Sequence, residues 1–220
     1  MEKTLTNTLT STDKPQKLYQ AITMTKAKKL GTELAQFVKT NNLSSNIAGK
    51  QYIQVEGWQF VGMQIGLTEV VVSCDPVAPF EDEKEIKYKA VVEVINQQGT
   101  VVSRGFAWCS NKESKKKSFE EYAIASMAQT RAIGKAYRNI LSWIVKMAGY
   151  EATPAEEIDR DKMETDLTKA KQEVLKTINA NGITAGSEVM DYIEKIIGKR
   201  VIETTDDANR IIGSFKEATN

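Results

Sequence analysis

The chain has 220 residues, 41% of them hydrophobic and 27% charged, which suits one large domain or a medium domain with a small one. It contains no histidine, which excludes His-based acid–base catalysis, His-containing triads and the common zinc sites. No apolar run approaches the roughly 20 residues that span a bilayer, and the N-terminus lacks the apolar stretch of a secretory signal. With two cysteines in no metal-like spacing, we expect a cytoplasmic protein that meets no membrane and holds no metal or cofactor.

The net charge of +1 conceals a division between the two parts of the chain. Residues 1–150 hold 20 Lys and Arg against 14 Asp and Glu, whereas residues 151–220 hold 10 against 15. This asymmetry indicates a body that binds a polyanion and an acidic appendage, with chance surface variation as the alternative.

The N-terminal third predicts a tail, a helix and a strand region. Residues 1–20 are polar and are expected to form a disordered tail. Residues 24–42 have apolar side chains at helical spacing, which predicts an amphipathic helix. Beyond them, Ile53 and Val55 follow one strand parity and Trp58 and Phe60 the other, which predicts a strand with a β-bulge at 56–57.

The middle of the chain predicts an antiparallel meander. Residues 69–74, 86–94 and 101–109 read as strands, separated by an acidic loop and by the turn NQQGT. A helix over 118–148 follows, with Ser118 and Glu121 in the pattern of a capping box and Gly149 at its end. The pattern predicts an α+β fold in which this long helix covers one face of a short antiparallel sheet.

The remainder predicts a small separate module. Residues 152–164 are polar and acidic and are expected to form a linker. Three helical patterns follow, at about 165–180, 187–197 and 206–217. We therefore divide the chain into a tail (1–20), an α+β nucleic-acid-binding domain (21–151), a linker (152–164) and a three-helix module (165–220).

Three cations in the long helix are the main functional candidates. Arg131, Lys135 and Arg138 recur at i, i+4 and i+7, opposite the apolar side, over about two helical turns. This pitch suits a phosphate backbone. The face lacks the interleaved Glu residues that would form ion pairs along the helix, so we expect these cations to be unpaired and neutralised by an external anion. The alternative is an ordinary solvated helix face.

Further candidates lie in the loop before the helix and on the predicted strands. The basic candidates are Lys50, Arg104, Lys115, Lys116 and Lys117. Tyr52 and Trp58 are candidates for stacking on nucleobases, as are Phe106 and Trp108 on the last strand, and core packing is the alternative for each aromatic residue.

The run AQTRAIGKAYR, residues 128–138, is similar to the A-x-T-x-x-x-[KR]-[KR]-A-[LY]-R run of the Rad-fifty-two-like single-strand annealing proteins. This superfamily includes the phage ERF and Sak recombination proteins. Together with the order of helix, meander and long basic helix, the resemblance covers roughly residues 45–157. On this match Lys135 and Arg138 correspond to basic residues that line the DNA groove, while Arg131 replaces an acid that is common in eukaryotic members.

The resemblance implies a non-enzymatic, ring-forming homo-oligomer in a bacterial host cell, without ATP, metal or other cofactor. It would hold single-stranded DNA by its backbone and anneal complementary strands during phage recombination. The acidic module would meet a host or phage single-strand-binding protein or nuclease. No P-loop is present, which disfavours an ATP-driven recombinase. The rival hypotheses are a protective single-stranded DNA-binding protein that does not anneal, a phage-encoded protein-interaction factor, and a nuclease.

Overall fold

The structure is a computed structural model that describes residues 23–78 and 83–217. The predicted tail, residues 1–20, lies outside the described residues, as does part of the acidic loop. Five strands are described: β1 (Ser44–Ile47), β2 (Lys50–Ile53), β3 (Thr68–Pro76), β4 (Lys87–Ile95) and β5 (Val101–Ser110). Six α-helices are described: α1 (Met24–Asn41), α2 (Val55–Gln64), α3 (Glu121–Met147), α4 (Arg160–Ala180), α5 (Gly186–Ile197) and α6 (Thr205–Glu217).

The central unit is a three-stranded antiparallel sheet of order β3-β4-β5, packed against α3. Ala90, Val92 and Val94 alternate along β4 with more exposed neighbours and are fully buried toward the helix. The register continues across the sheet, with Ala90 opposite Cys74 on β3 and Ala107 on β5. The predicted α+β fold, with a meander on a long helix, is confirmed.

Strand β5 lies directly against the backbone of α3. A Cβ atom at Gly105 would lie only 2.5 Å from the Ala136 nitrogen, so only glycine permits this approach. The Ser103 hydroxyl donates a hydrogen bond to the Ala136 carbonyl over 2.7 Å, and the Asn139 amide donates to the Arg104 carbonyl over 3.0 Å. These contacts fix the rotation of α3 about its axis and thereby decide which face it turns outward.

The strand predicted at residues 55–60 is wrong, because Val55–Gln64 forms helix α2. Val55, Trp58 and Val61 recur at i, i+3 and i+6 and are all buried, as one face of a helix requires. There is consequently no β-bulge at 56–57. Gly62 allows α2 to pack on α3, since a Cβ there would lie 2.3 Å from the Tyr137 ring.

A short hairpin precedes α2. Strands β1 and β2 pair antiparallel, with Ile47 opposite Lys50 across a two-residue turn of Ala48 and Gly49. Both turn residues have positive φ values, 49° and 77°, which is typical of a type I′ turn.

The long helix begins two residues later than the predicted capping box requires. Glu120 is the N-cap residue of α3, and no side chain caps the helix there. The prediction of a capping box at Ser118 and Glu121 is therefore wrong. Glu121 instead accepts a hydrogen bond from the Tyr88 hydroxyl over 2.6 Å, which joins the start of α3 to β4.

Helices α4, α5 and α6 form a second core of their own. The largest fully buried side chains in it are Ile178 and Ile211. Helix α4 begins at Arg160, inside the segment that we predicted to be a linker, and Asp159 caps it by accepting from the Lys162 N–H over 3.1 Å. No helix among the described residues is both long and apolar enough to span a membrane.

Residues 151–158 pack onto the α+β unit instead of linking freely. The Glu151 N–H donates to the Gln51 carbonyl over 2.8 Å, and Ala155 is buried in a small cluster with Ile47 and Tyr52. Pro154 rests on Gly134 of α3, where a Cβ would lie 2.9 Å from the proline Cγ. The segment thus crosses the outward face of the long helix.

Candidate nucleic-acid interface

The three cations of α3 do project from one outward face, but they have different surroundings. Arg131 is the most enclosed, with 16% of its side chain exposed. Its Nη1 and Nη2 donate to the two carboxylate oxygens of Glu113, each over 2.7 Å. Its Nε donates to the Glu156 carbonyl over 2.8 Å, and Nη1 also donates to the Trp108 carbonyl over 3.1 Å. Arg131 therefore ties together α3, β5, the loop after β5 and the segment before α4.

Glu113 is the main anionic partner of this network. Burial alone would raise the pKa of its carboxyl group, but the hydrogen bonds from Arg131 and Lys116 outweigh burial and lower the pKa to about 2. The Lys116 Nζ lies 2.5 Å from the second carboxylate oxygen. Both cations thus have a fixed anion within the protein, and Arg131 binds it in the bidentate geometry that Arg favours with a carboxylate.

Lys135 and Arg138 are more open and more weakly paired. Their side chains are 37% and 40% exposed, and they share one carboxylate oxygen of Glu157, at 3.7 and 3.3 Å. The expectation that the three cations are unpaired is wrong, because carboxylates reach them from loops outside the helix. One shared carboxylate nevertheless leaves an excess of positive charge beside Lys135 and Arg138.

The carboxylates of Glu156 and Glu157 are held in place by packing. Burial raises the pKa of both carboxyl groups. The Val55 N–H lowers the pKa of Glu156, and Arg138 and Lys135 lower that of Glu157, but burial outweighs them. The Glu156 Oε1 accepts from the Val55 N–H over 3.0 Å at the N-terminus of α2. One oxygen of each carboxylate is buried without a hydrogen-bond partner among the described residues. Glu157 is therefore a poorly solvated anion that neutralises the open cations incompletely.

A groove of about 780 Å³ runs beside Arg131 and Lys135, between the loop after β5 and the segment before α4. Six cations and four carboxylates line it, together with apolar side chains such as Phe119 and Met127. Its charged lining residues are Lys112, Glu113, Lys115, Lys116, Arg131, Lys135, Glu156, Glu157, Asp159 and Arg160.

The predicted basic cluster of residues 115–117 joins this site in part. Lys115 and Lys116 line the groove, and a 3-10 turn over Ser114–Lys116 positions them. Lys117 follows the turn in an exposed position. The structure thus brings two of these lysines together with Arg131 and Lys135, although the two regions are separated by more than a dozen residues of sequence.

Lys50 and Arg104 lie apart from the groove. The Lys50 Nζ is 2.9 Å from an Asp206 carboxylate oxygen, which joins the β1–β2 hairpin to α6 and raises the pKa of Lys50. Arg104 projects from the face of the sheet opposite α3 and pairs with Glu93 of β4. Neither residue lines the groove: the fold places Lys50 at the contact with the helical module and Arg104 on the other face of the sheet.

Two of the four predicted stacking residues, Tyr52 and Trp58, are buried. Trp58 is fully buried between α2 and the core, and Tyr52 is 6% exposed beside Ala155. Both rings are core residues, which corrects the prediction that they stack on bases. Phe106 and Trp108, in contrast, are 50% and 45% exposed.

Sequence reasoning missed Glu113, Glu157 and Arg160, which complete the site. Both glutamates lie in polar, charge-rich segments that read as solvated loops, and no spacing rule relates them to α3. The only local signal was the proline of the run ATPAEE, which shortens and stiffens the approach to Glu156 and Glu157.

The site is suited to binding an anion. Over residues 23–78 and 83–217, no group of three His, Cys, Asp or Glu side chains is placed to hold a metal ion. Burial raises the pKa of the Cys109 thiol to about 11, which disfavours a thiolate nucleophile. The groove offers six Lys and Arg side chains beside four carboxylates, a net excess of cationic hydrogen-bond donors.

Comparison with known proteins adds no family to this description, because no protein-family model and no curated protein matches the chain.

Proposed function

We propose that the protein binds single-stranded DNA by its phosphates along the outward face of α3 and anneals complementary strands without ATP. The observation that carries this proposal is the groove itself. Lys135 lines it together with Lys112, Lys115, Lys116 and Arg160. Arg138 lies next to Lys135 on α3, and these two exposed cations share a single carboxylate.

Phosphate binding follows from the electrostatics of this surface. Each Lys or Arg that neutralises a phosphate releases a condensed counterion, which is the main favourable contribution to non-specific strand binding. A flexible single strand can follow a groove between two loops, and backbone binding leaves most of the bases available for pairing. Base pairing supplies the free energy of annealing, and the protein contributes alignment and charge neutralisation. The similarity of residues 128–138 to the annealing proteins supports the same proposal.

An annealing assay tests the proposal. Two complementary labelled oligonucleotides are mixed without ATP or magnesium, with and without the protein, and the rate of duplex formation is measured. We expect the protein to accelerate annealing, and the Lys135→Ala/Arg138→Ala variant to lose most of that acceleration while remaining folded. Tight binding without acceleration would instead identify a protein that protects single strands.

One observation favours a second candidate, a protein that binds an acidic segment of another protein. Glu157 from the chain itself already occupies the basic face, so a carboxylate fits there. Failure to bind any oligonucleotide, together with binding of a poly-glutamate peptide, would favour this candidate over the first.

A further inference from the structure

The face of the sheet opposite α3 carries an exposed aromatic cluster at the edge of the groove. Phe106 and Trp108 alternate on β5 with Gly105, Ala107 and Cys109, which are turned toward the helix and buried. Val70 of β3, opposite Glu93 in the register of the sheet, is also exposed on this face, at 41%. Large apolar side chains in such a patch are typical of an interaction surface and not of a solvated sheet.

The two rings are arranged with a cation. Phe106 and Trp108 meet edge to face, with centroids 5.3 Å apart and planes at 82°. The Lys89 Nζ lies 5.7 Å from the Phe106 centroid and 5.8 Å from the Trp108 centroid. In the register of the sheet, Lys89 is directly opposite Trp108. Two carboxylates lie on this face as well: Asp75, opposite Lys89 on β3, and Glu93, which pairs with Arg104.

Trp108 joins this cluster to the groove. Strand β5 is an edge strand, so a side chain on its open face also reaches the edge of the sheet. Trp108 is one of the residues that line the groove, and its carbonyl accepts a hydrogen bond from Arg131. The residue that carries the exposed indole ring therefore also lines the groove.

We propose that Phe106 and Trp108 form a stacking platform for one nucleobase of the bound single strand, with Lys89 beside the stacked nucleotide. The platform rests on the proposed function, because the phosphates of that strand lie in the groove. Exposed aromatic rings next to a cationic channel are the usual way in which proteins hold single strands without reading sequence, since every base has a π-face. Val70 of β3 extends the apolar surface on the side away from the groove.

The test compares two probes that differ only in their bases. An oligothymidine and an abasic oligonucleotide of the same length are titrated by fluorescence anisotropy against the wild type, Trp108→Ala and Trp108→Phe. Trp143→Ala is the matched control, because Trp143 is 44% exposed on α3 and does not line the groove. Circular dichroism and sedimentation check folding and oligomeric state.

We expect Trp108→Ala to weaken oligothymidine binding about ten-fold, with no effect on the abasic probe. Trp108→Phe keeps a ring and retains most of the affinity, Phe106→Ala gives a loss in the same direction, and Trp143→Ala behaves as wild type. The salt dependence of binding stays unchanged in all four variants, because none removes a cation.

Three outcomes overturn the platform. Equal loss for both probes would mean that Trp108 acts through folding, and unchanged binding in Trp108→Ala would mean that no base stacks there. A change of oligomeric state without a probe-dependent loss would assign the face to a second copy of the chain. In these cases phosphate binding by the wild type still stands. If the wild type binds neither probe, the proposed function fails and the platform fails with it.

Discussion

The two ends of the basic face of α3 carry the same kind of charge and have different surroundings. At one end, Arg131 makes four hydrogen bonds to groups of the protein and is 16% exposed. At the other end, less than two turns away, Lys135 and Arg138 are more than twice as exposed and share one oxygen of Glu157 at longer distances. The spacing of the three cations is regular, but the partners that the fold supplies are not.

Arg131, Lys135 and Arg138 lie on one face of the helix, but their different surroundings give them different roles. A bidentate, half-enclosed Arg–carboxylate pair contributes to holding loops in place, and removing one partner leaves the other poorly solvated. Exposed cations with a shared, distant anion contribute little to stability and are the ones that a phosphate can engage. Arg131 therefore builds the groove, whereas Lys135, which lines it, and Arg138, beside Lys135 on the same helix face, are available to a ligand.

Arg131→Ala should have the largest effect on stability of the changes to the basic face of α3. This change leaves the Glu113 carboxylate and the carbonyls of Trp108 and Glu156 without their donor, so we expect the free energy of unfolding to fall by about 2–4 kcal/mol. Lys135→Ala, one turn away, should change it by less than about 0.5 kcal/mol. Urea unfolding followed by tryptophan fluorescence measures both. Equal stability of the two variants would contradict the division of roles.

The packing of the segment before α4 is tested by Gly134→Ala. The added methyl group would lie 2.9 Å from the Pro154 Cγ, so the segment must shift, at a cost of about 1–3 kcal/mol. Thermal unfolding measures the loss. The matched control is Gly213→Ala in α6, where a Cβ meets no described atom within 4 Å and alanine should stabilise the helix by about 0.5–1 kcal/mol. Opposite signs for the two variants are expected, and a stabilising effect at Gly134 would contradict the packing.

The Arg131 end can also be probed by pH. The folded-state pKa of Glu113 is about 2, below its ordinary value of 4.5, so the native state binds fewer protons than the unfolded state between these values. The contribution of Glu113 is fully present above pH 4.5 and is lost as the pH falls toward 2. It amounts to about 1–2 kcal/mol, since the carboxylate is one-third exposed and screened by solvent.

Melting temperatures of the wild type and of Glu113→Gln, recorded across this pH range, measure that contribution. The difference between the two proteins should shrink as the pH falls toward 2. If the difference in melting temperature between the two proteins stays constant with pH, Arg131 and Lys116 do not lower the pKa of Glu113 in the native state.

The smallest effect is expected at the exposed end of the basic face, where Lys135 and Arg138 share Glu157. Glu157→Gln removes the anion shared by Lys135 and Arg138, so we expect oligothymidine affinity to rise about 2- to 5-fold and its salt dependence to steepen. Because burial raises the pKa of Glu157, the wild type should also gain affinity as the pH falls through that raised pKa, whereas the variant should not. Anisotropy titrations at several pH values measure this, and lower affinity of the variant would show that Glu157 supports the site instead of competing for it.

The fold was largely predictable from the sequence because most elements carry a long, regular pattern. The alternation over β4 and the helical periodicity of α1, α3 and the last three helices each extend over enough residues to decide the type of element. The prediction for residues 55–64 was wrong because this ten-residue segment mixes Gly57 and Gly62 with aromatic residues. Apolar residues at i, i+3 and i+6 then fit a strand that changes parity as well as they fit a helix. Packing on Tyr137 decided the conformation.

The site was predictable only in half. Helical spacing placed Arg131, Lys135 and Arg138 on one face, and the structure places them there. Their anions could not be found in the same way, because Glu113 is 18 residues before Arg131 and Glu157 is 19 residues after Arg138. Ion pairs at such separations depend on the course of loops, which no local pattern encodes.

The salt dependence of strand binding directly tests whether Lys135 and Arg138 of α3 bind phosphates. Oligothymidine affinity is measured over a series of salt concentrations for the wild type, Lys135→Ala, Arg138→Ala and the double variant. Lys169→Ala/Lys176→Ala, which removes two exposed lysines of α4 outside the groove, is the control. The account predicts that the slope of log affinity against log salt becomes less steep by about 0.7 for each cation removed from α3, and that the control keeps the wild-type slope. An unchanged slope in the double variant, or the same change in the control, would contradict the assignment of this face of α3 to phosphate binding.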